Sequence, residues 1–400
     1  MVPHQHALSR SRFVGIVMPM LSPSSCPLAS SLALLLAFIP PVAQAQDELP
    51  SYLVWPPSLK HKNVPAPAVF RGVVGEARFE TNRLGIRGPE FSRSPEDEYR
   101  ILVLGGSAVE SFYLDQEEAW PALVGAGLPA TADGRKVWVG NLGRSGHNSR
   151  DHVMEMRLLV PRLPIDVIVV MMGVNDLGLR LAQDAAYNPA FLESPANVAY
   201  QIRHAFAVRP SDPNLPFYRQ GWVGRFLGLE PESLRVKPWQ VVDNAGWAFQ
   251  QWRELRWKGP KVTTLPALSS ALEEFASNAA EIAWRGREMG ARVVFLTQPA
   301  LWRADLSPAE LHTLWMGGIG DYQGGGASYY AAEALARGLA AYNQALLDFC
   351  NRTGAECFDL ASRVPLDLTI FYDDCHFNEN GARVVAESVV GYLAKRAPWR

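Results

Sequence analysis

Four polar turns of this sequence carry residues that could act together: Ser107, Gly146, Asn175, and the pair Asp373 and His376. Acyl transfer through a covalent intermediate needs a nucleophile, a base for its proton, and donors for the developing oxyanion. Ser107 could supply the oxygen. His376 could be the base, because an imidazole titrates near neutral pH. Asp373, three residues earlier, could orient the ring through its far nitrogen, with Asp374 as the alternative. The backbone N–H groups of Ser107 and Gly146 and the side-chain amide of Asn175 could face the oxyanion, and Gly143 is the alternative to Gly146. Plainer readings stand beside these. Gly105-Gly106-Ser107 could be only a turn, Asn175 and Asp176 could cap a helix, and His376 could be an ordinary histidine. Asp373, Asp374 and His376 could ligate a metal, but the sequence offers them no second cluster of carboxylates or histidines.

The elements that must position these turns read as βα units. Ile101–Leu104 is a short apolar run suited to a strand buried on both faces. Gly105 and Gly106 break it, and an amphipathic stretch after Ser107 would aim a helix N-terminus at the hydroxyl. Further strands are expected at Lys136–Val139, Ile165–Met172, Arg292–Leu296 and Glu356–Leu360. Helices are expected at Glu117–Gly125, Arg150–Arg162, Leu268–Met289, Tyr330–Asn351 and Gly381–Lys395. Strands that alternate with helices through Gly-bearing turns imply a parallel sheet covered on both faces. Open sheets of this kind bind ligands at the carboxyl edge, where all four polar turns would fall.

With the blocks in this order, the sequence resembles the SGNH (GDSL-type) hydrolase family. Gly105-Gly106-Ser107 stands where that family has Gly-Asp-Ser. Gly146 matches its second block, Gly173-Val174-Asn175-Asp176 matches Gly-x-Asn-Asp, and Asp373 with His376 matches Asp-x-x-His. Gly106 departs from the pattern, since the aspartate beside the nucleophile is missing. The resemblance covers about 98–180 and 265–397. It implies an α/β three-layer sandwich around a central five-stranded parallel sheet, flavodoxin-like, with an inserted cap at about 180–265. It also implies a serine esterase that needs no metal or organic cofactor. The substrate would be an acyl ester, O-acetyl or short acyl, carried by a carbohydrate or cell-envelope glycan. An O-acyltransferase working through the same acyl-enzyme is one alternative, and a catalytically silent glycan-binding or assembly protein is another.

The chain has 400 residues, 48% of them hydrophobic and 20% charged, with a formal net charge of −2. This balance fits a globular protein and gives no reason to expect a nucleic-acid partner. Residues 1–45 read as a cleavable signal peptide: Arg10 and Arg12, the apolar Ser31–Ile39, then Ala43-Gln44-Ala45. The expected location is therefore secreted or periplasmic, without a stable membrane span after cleavage; an uncleaved anchor is the alternative. Residues 46–97, rich in Pro, Gly and charge, read as a leader over the surface of a hydrolase domain spanning 98–397. The insertion carries Trp222, Trp239, Trp247, Trp252 and Trp257, either packing its own small core or offering a ligand platform. The Gly-rich stretch Gly317–Gly326 lacks P-loop spacing and reads as a loop. Cys350 and Cys357 flank a turn at Gly354 and could pair across it, or all three cysteines after the signal could be free thiols. Pairing would leave Cys375 over. The spacing of the cysteines fits no zinc site.

Overall fold

The computed structural model describes residues 50–92, 94–210, 240–320 and 328–400. The signal-like segment, Trp222, Trp239 and the end of the Gly-rich stretch lie outside them.

Residues 46–97 read as a surface leader, yet their described part, from residue 50 on, helps to build the core. Strands β1 (Lys60–Pro65) and β2 (Ala77–Glu80) pair antiparallel. Alternation along β2 turns Ala77 and Phe79 inward. Leu53, Val54, Phe70 and Ile86 are also buried. The turn 81–88, to which the sequence assigns no chemistry, delivers Arg87 into the interior. Its guanidinium donates to the carbonyls of Glu110, Ser111, Leu114 and Asp115 at 2.6 to 3.0 Å. Burial lowers the Arg87 pKa to about 10. Arg87 thus clamps the loop that follows Ser107. Removing it would leave several buried carbonyls without a donor, so Arg87→Ala is expected to cost at least about 3 kcal/mol. A urea denaturation midpoint within error of wild type would refute this role.

Every strand expected from the apolar runs enters one parallel sheet. These are β3 (Glu98–Gly105), β4 (Lys136–Asn141), β5 (Val167–Met171), β8 (Arg292–Leu296) and β10 (Glu356–Phe358). Their spatial order is β10-β8-β5-β3-β4. The centre, β5, is Val-Ile-Val-Val-Met and buried throughout. β-Branched residues fit such a pleat, and burial on both faces requires helices on each side. Helices α2 (Trp120–Gly127) and α10 (Glu379–Leu393) pack on one another, and α2 lies against β4. Helices α3 (Ser149–Leu158), α7 (Ser269–Glu288) and α9 (Ala332–Thr353) form the other layer, with α7 touching both α3 and α9. The expected α/β three-layer sandwich is thereby present.

The helix expected directly after Ser107 is only a single turn, α1 (Ser107–Glu110), ended by left-handed Ser111 at φ 51°. Its dipole is correspondingly small, and the longer helix of this unit begins at Trp120, with Pro121 in its first turn.

The region read from sequence as an insertion contributes α5 (Pro195–Ala205) beside α3, and β6 (Gln240–Ala245), which joins β1 in parallel. Helix α6 (Trp247–Lys258) follows. The short strands β7 (Lys261–Val262) and β9 (Tyr329–Tyr330) pair with each other. Between them lie Gly317 and Gly320, both at positive φ. Cys350 and Cys357 form a disulfide across the turn at Gly354, and Cys375 is free and buried. Among the described residues, no helix is long and apolar enough to cross a membrane.

Candidate active site

Each expected site residue sits where a strand of the parallel sheet ends or where the last helix begins. Ser107 follows β3 directly. A Cβ on Gly105 would come within 2.8 Å of the Met171 carbonyl and closer still to Val109. A Cβ on Gly106 would meet the Asn175 amide nitrogen at 2.3 Å and the His147 carbonyl at 3.1 Å. The space that the expected aspartate would enter is already filled. Here the departure from Gly-Asp-Ser has a steric reason.

Asn175 opens α4 (Val174–Gln183) after β5. The preceding Gly173 adopts φ 136°, a conformation that side chains disfavour. The next N–H, of Val174, donates to Gln298 Oε1 at 3.0 Å. Gln298, just past the end of β8, thus braces this turn. Asn175 Nδ2 donates one hydrogen to the His147 carbonyl at 2.7 Å, and its second hydrogen is available to a ligand.

The two candidate glycines of the second turn differ sharply. Gly143 is packed against the backbone of Val109 and Glu110, and its N–H is spent on Asn141 Oδ1 at 2.8 Å. Gly146 is exposed, at φ 82°, with open space where a Cβ would stand. It immediately precedes His147, whose carbonyl touches the Asn175 amide.

Asp373 and His376 lie in a turn closed by a bridge between Phe371 and Phe377, just before α10. His376 Nε2 is 2.7 Å from Ser107 Oγ. His376 Nδ1 is 2.8 Å from both oxygens of Asp373. Asp373 Oδ1 also accepts from the backbone N–H groups of Cys375 and His376, and Oδ2 accepts from Trp315 Nε1 at 3.0 Å. Full burial opposes charge on Asp373. The facing His376, the nearby Arg253 and the Trp315 bond outweigh it and hold the carboxyl below its usual range. His376 is the converse: burial lowers its pKa, but the Asp373 charge and hydrogen bond raise it further, to a net upward shift.

Asp374 does not reach the ring. Its carboxylate accepts from Trp302 Nε1 and the backbone N–H of Trp315, both at 2.7 Å, and from Met316 N–H. Burial pushes its pKa up. With Asp374 committed elsewhere, the metal reading of Asp373, Asp374 and His376 loses a ligand.

Several contributors carry no signal in the sequence pattern. Trp315, on the loop after α8 (Pro308–Leu311), supplies a bond to each aspartate. Arg253 on α6 donates to the Tyr372 carbonyl at 3.0 Å, so α6 grips the histidine turn. Phe249 and Trp315 stand with ring centres 6.4 Å from His376, and Trp252 stands 5.0 Å from Trp315. Trp247 is exposed, and Trp257 stacks on His312 at 3.5 Å. Glu110, buried at the end of α1, accepts from the Ser145 hydroxyl. Only its spacing of three from Ser107 could have signalled it.

Residues 103–384 match the sequence profile described as the GDSL-like lipase/acylhydrolase family. No curated protein matches the sequence. Among solved structures, an acetylxylan esterase from Geobacillus stearothermophilus is 13% identical. That match covers 75% of this chain and 97% of the other, with a TM-score of 0.39. An alpha/beta hydrolase from the metagenome of Lake Arreo, Spain, is 14% identical, covering 73% and 94%, TM-score 0.39. A putative lipolytic protein of the G-D-S-L family from Desulfitobacterium hafniense is 9% identical, covering 74% and 99%, TM-score 0.35.

Proposed function

We propose a mechanism and a substrate class from one premise: this chain belongs to the GDSL-like lipase/acylhydrolase family and is a serine hydrolase of acyl esters. The observation that carries the mechanism is the unbroken chain from Ser107 Oγ through His376 to Asp373. Ser107 Oγ attacks the acyl carbonyl while His376 Nε2 takes its proton. Asp373 holds the ring and favours the imidazolium that forms. The N–H groups of Ser107 and Gly146 and the free amide hydrogen of Asn175 receive the oxyanion. Collapse expels the alcohol, protonated by His376, and leaves an acyl-enzyme. Water, deprotonated by His376, then releases the acid and restores Ser107.

The acyl group is O-acetyl or another short chain, carried on a carbohydrate or cell-envelope glycan. Two observations support this. Phe249, Trp252 and Trp315 gather aromatic surface beside His376, and aromatic rings pair an apolar face with a polar edge. The N-terminal pattern of Arg10, Arg12, Ser31–Ile39 and Ala43-Gln44-Ala45 would export the enzyme to such a substrate. Export predicts a mature N-terminus at Gln46; secreted material that begins before Ala43 would refute it.

The decisive assay is a panel of p-nitrophenyl esters from acetate to palmitate, run with and without a glycan acceptor. Short esters should turn over fastest, with release unchanged by the acceptor. Acylated glycan accumulating at the expense of free acid would mean transfer instead of hydrolysis. No turnover and no labelling by a fluorophosphonate would favour a silent binding protein.

A further inference from the structure

Behind the second turn lies a set of imidazoles and carboxylates, all but one of them buried, whose side chains the mechanism does not use. His147 precedes α3, Asp151, His152 and Glu155 lie on α3, and His204 comes from α5 of the insertion. Glu155 is buried and holds the Nδ1 atoms of His147 and His152, one on each oxygen, at 2.9 Å. With Nδ1 of His147 so engaged, its Nε2 is left as a lone pair in the neutral ring. That atom is buried in a side chain only 1% exposed, and it has no hydrogen-bond partner among the described residues. Nitrogen of His147, carboxylate oxygen of Asp151 and nitrogen of His204 all lie within 4.8 Å of one another. Asp151 is fully buried, whereas the His204 side chain is 41% exposed.

We propose that His147 Nε2, Asp151 and His204 bind a divalent transition-metal ion of the zinc type. Two imidazoles and one carboxylate are a zinc donor set, with ligand bonds of about 2.0–2.2 Å and a fourth position for water. His204, on the solvent side, leaves that position open. Glu155 supplies what metal-bound imidazoles regularly need, a carboxylate on the ring's other nitrogen that fixes tautomer and orientation. Without the ion, Asp151 Oδ1 accepts from His204 Nδ1 at 2.7 Å and from Gln201 Nε2 at 2.5 Å. Binding replaces that hydrogen bond with two ligand bonds, and the Nδ1 proton passes to Nε2 of a neutral ring or to solvent from a charged one. The ion would fasten α5, part of the insertion, to the loop whose His147 carbonyl holds Asn175. The binding site itself does not depend on the catalytic assignment.

The test uses the full chain, stripped with EDTA and titrated with Zn²⁺ by calorimetry, with bound metal counted by mass spectrometry. One equivalent is expected. His204→Ala, a partly exposed change, should weaken binding at least about tenfold, and Asp151→Asn should do the same. Asp373, Cys375 and His376 also lie close enough to hold an ion, so His376→Ala serves as the control, and it should keep the equivalent. Cobalt substitution should give tetrahedral d–d bands in wild type and not in His204→Ala. A wild type that binds no zinc overturns the proposal. So does zinc retained at full affinity in folded His204→Ala, or zinc lost in His376→Ala, which would place the ion at the triad. Should Asp151→Asn fail to fold, His204→Ala decides alone.

Discussion

Alanine at Ser107 or at His376 is expected to lower kcat by at least about 10³, and the double variant should be hardly slower than either single one. The two atoms stand 2.7 Å apart and share one proton transfer, so neither works without the other. Asp373→Ala should cost less than either, because nucleophile and base remain. Asp374→Ala should cost far less again, since its carboxylate serves Trp302 and the backbone of Trp315 and Met316. The pH profile follows from the same geometry. His376 must be neutral to accept the serine proton, and its pKa is raised by Asp373. Activity should therefore rise through a pH above the ordinary histidine value and fall away on the acid side. The linkage to stability has the opposite sense at each end. The raised His376 stabilises the fold at low pH and loses that contribution as pH climbs through its folded pKa. The lowered Asp373 stabilises above its unfolded pKa and loses its contribution as pH falls through its folded value. Both contributions are complete only between the ordinary carboxylate value and the ordinary histidine value, on the acid side of the activity plateau. Near-wild-type turnover by Ser107→Ala, or a rate that climbs toward acid, would defeat this mechanism.

Elements that depend on neighbouring residues are legible in the amino-acid order itself. Val167–Met171 is an uninterrupted β-forming run, and only a strand buried on both faces needs one. The polar turns are legible because glycines mark them: Gly105, Gly146 and Gly173 each break an apolar or regular stretch. What stays hidden depends on contacts between distant segments. Arg87 looks like one more surface charge in a turn, yet the four carbonyls it clamps after Ser107 lie 23 to 28 residues away. Trp315 sits in a stretch without periodicity, 58 and 59 residues from the two aspartates it bonds. Sequence leaves the choice between Asp373 and Asp374 open, because adjacent residues in a turn point apart in a manner that only the winding decides. Histidines 147, 152 and 204 carry no spacing signal either, since α5 must fold against α3 before His204 meets Asp151.

Gly106→Asp, which restores the residue usual in the family, is expected to lower kcat instead of raising it. The backbone at Gly106, φ −83° and ψ −154°, suits any residue, so the obstacle is space alone. A Cβ would press on Asn175 Nδ2 at 2.3 Å, and that amide is already fixed by the His147 carbonyl. Something must move, and the flexible amide moves before the sheet does. Asn175→Ala removes the same donor outright and should cost roughly 10² to 10³ in kcat with little change in KM, because the bond strengthens only as the oxyanion forms. The two effects should not add. Once Asn175 is alanine the 2.3 Å clash is gone and only the tight 3.1 Å approach to the His147 carbonyl remains, so Gly106→Asp in that background should cost much less than it does in wild type. Full additivity in this cycle would show that Gly106 and Asn175 act separately. Wild-type kcat in Gly106→Asp, with the fold confirmed by circular dichroism, would show that the space is not needed.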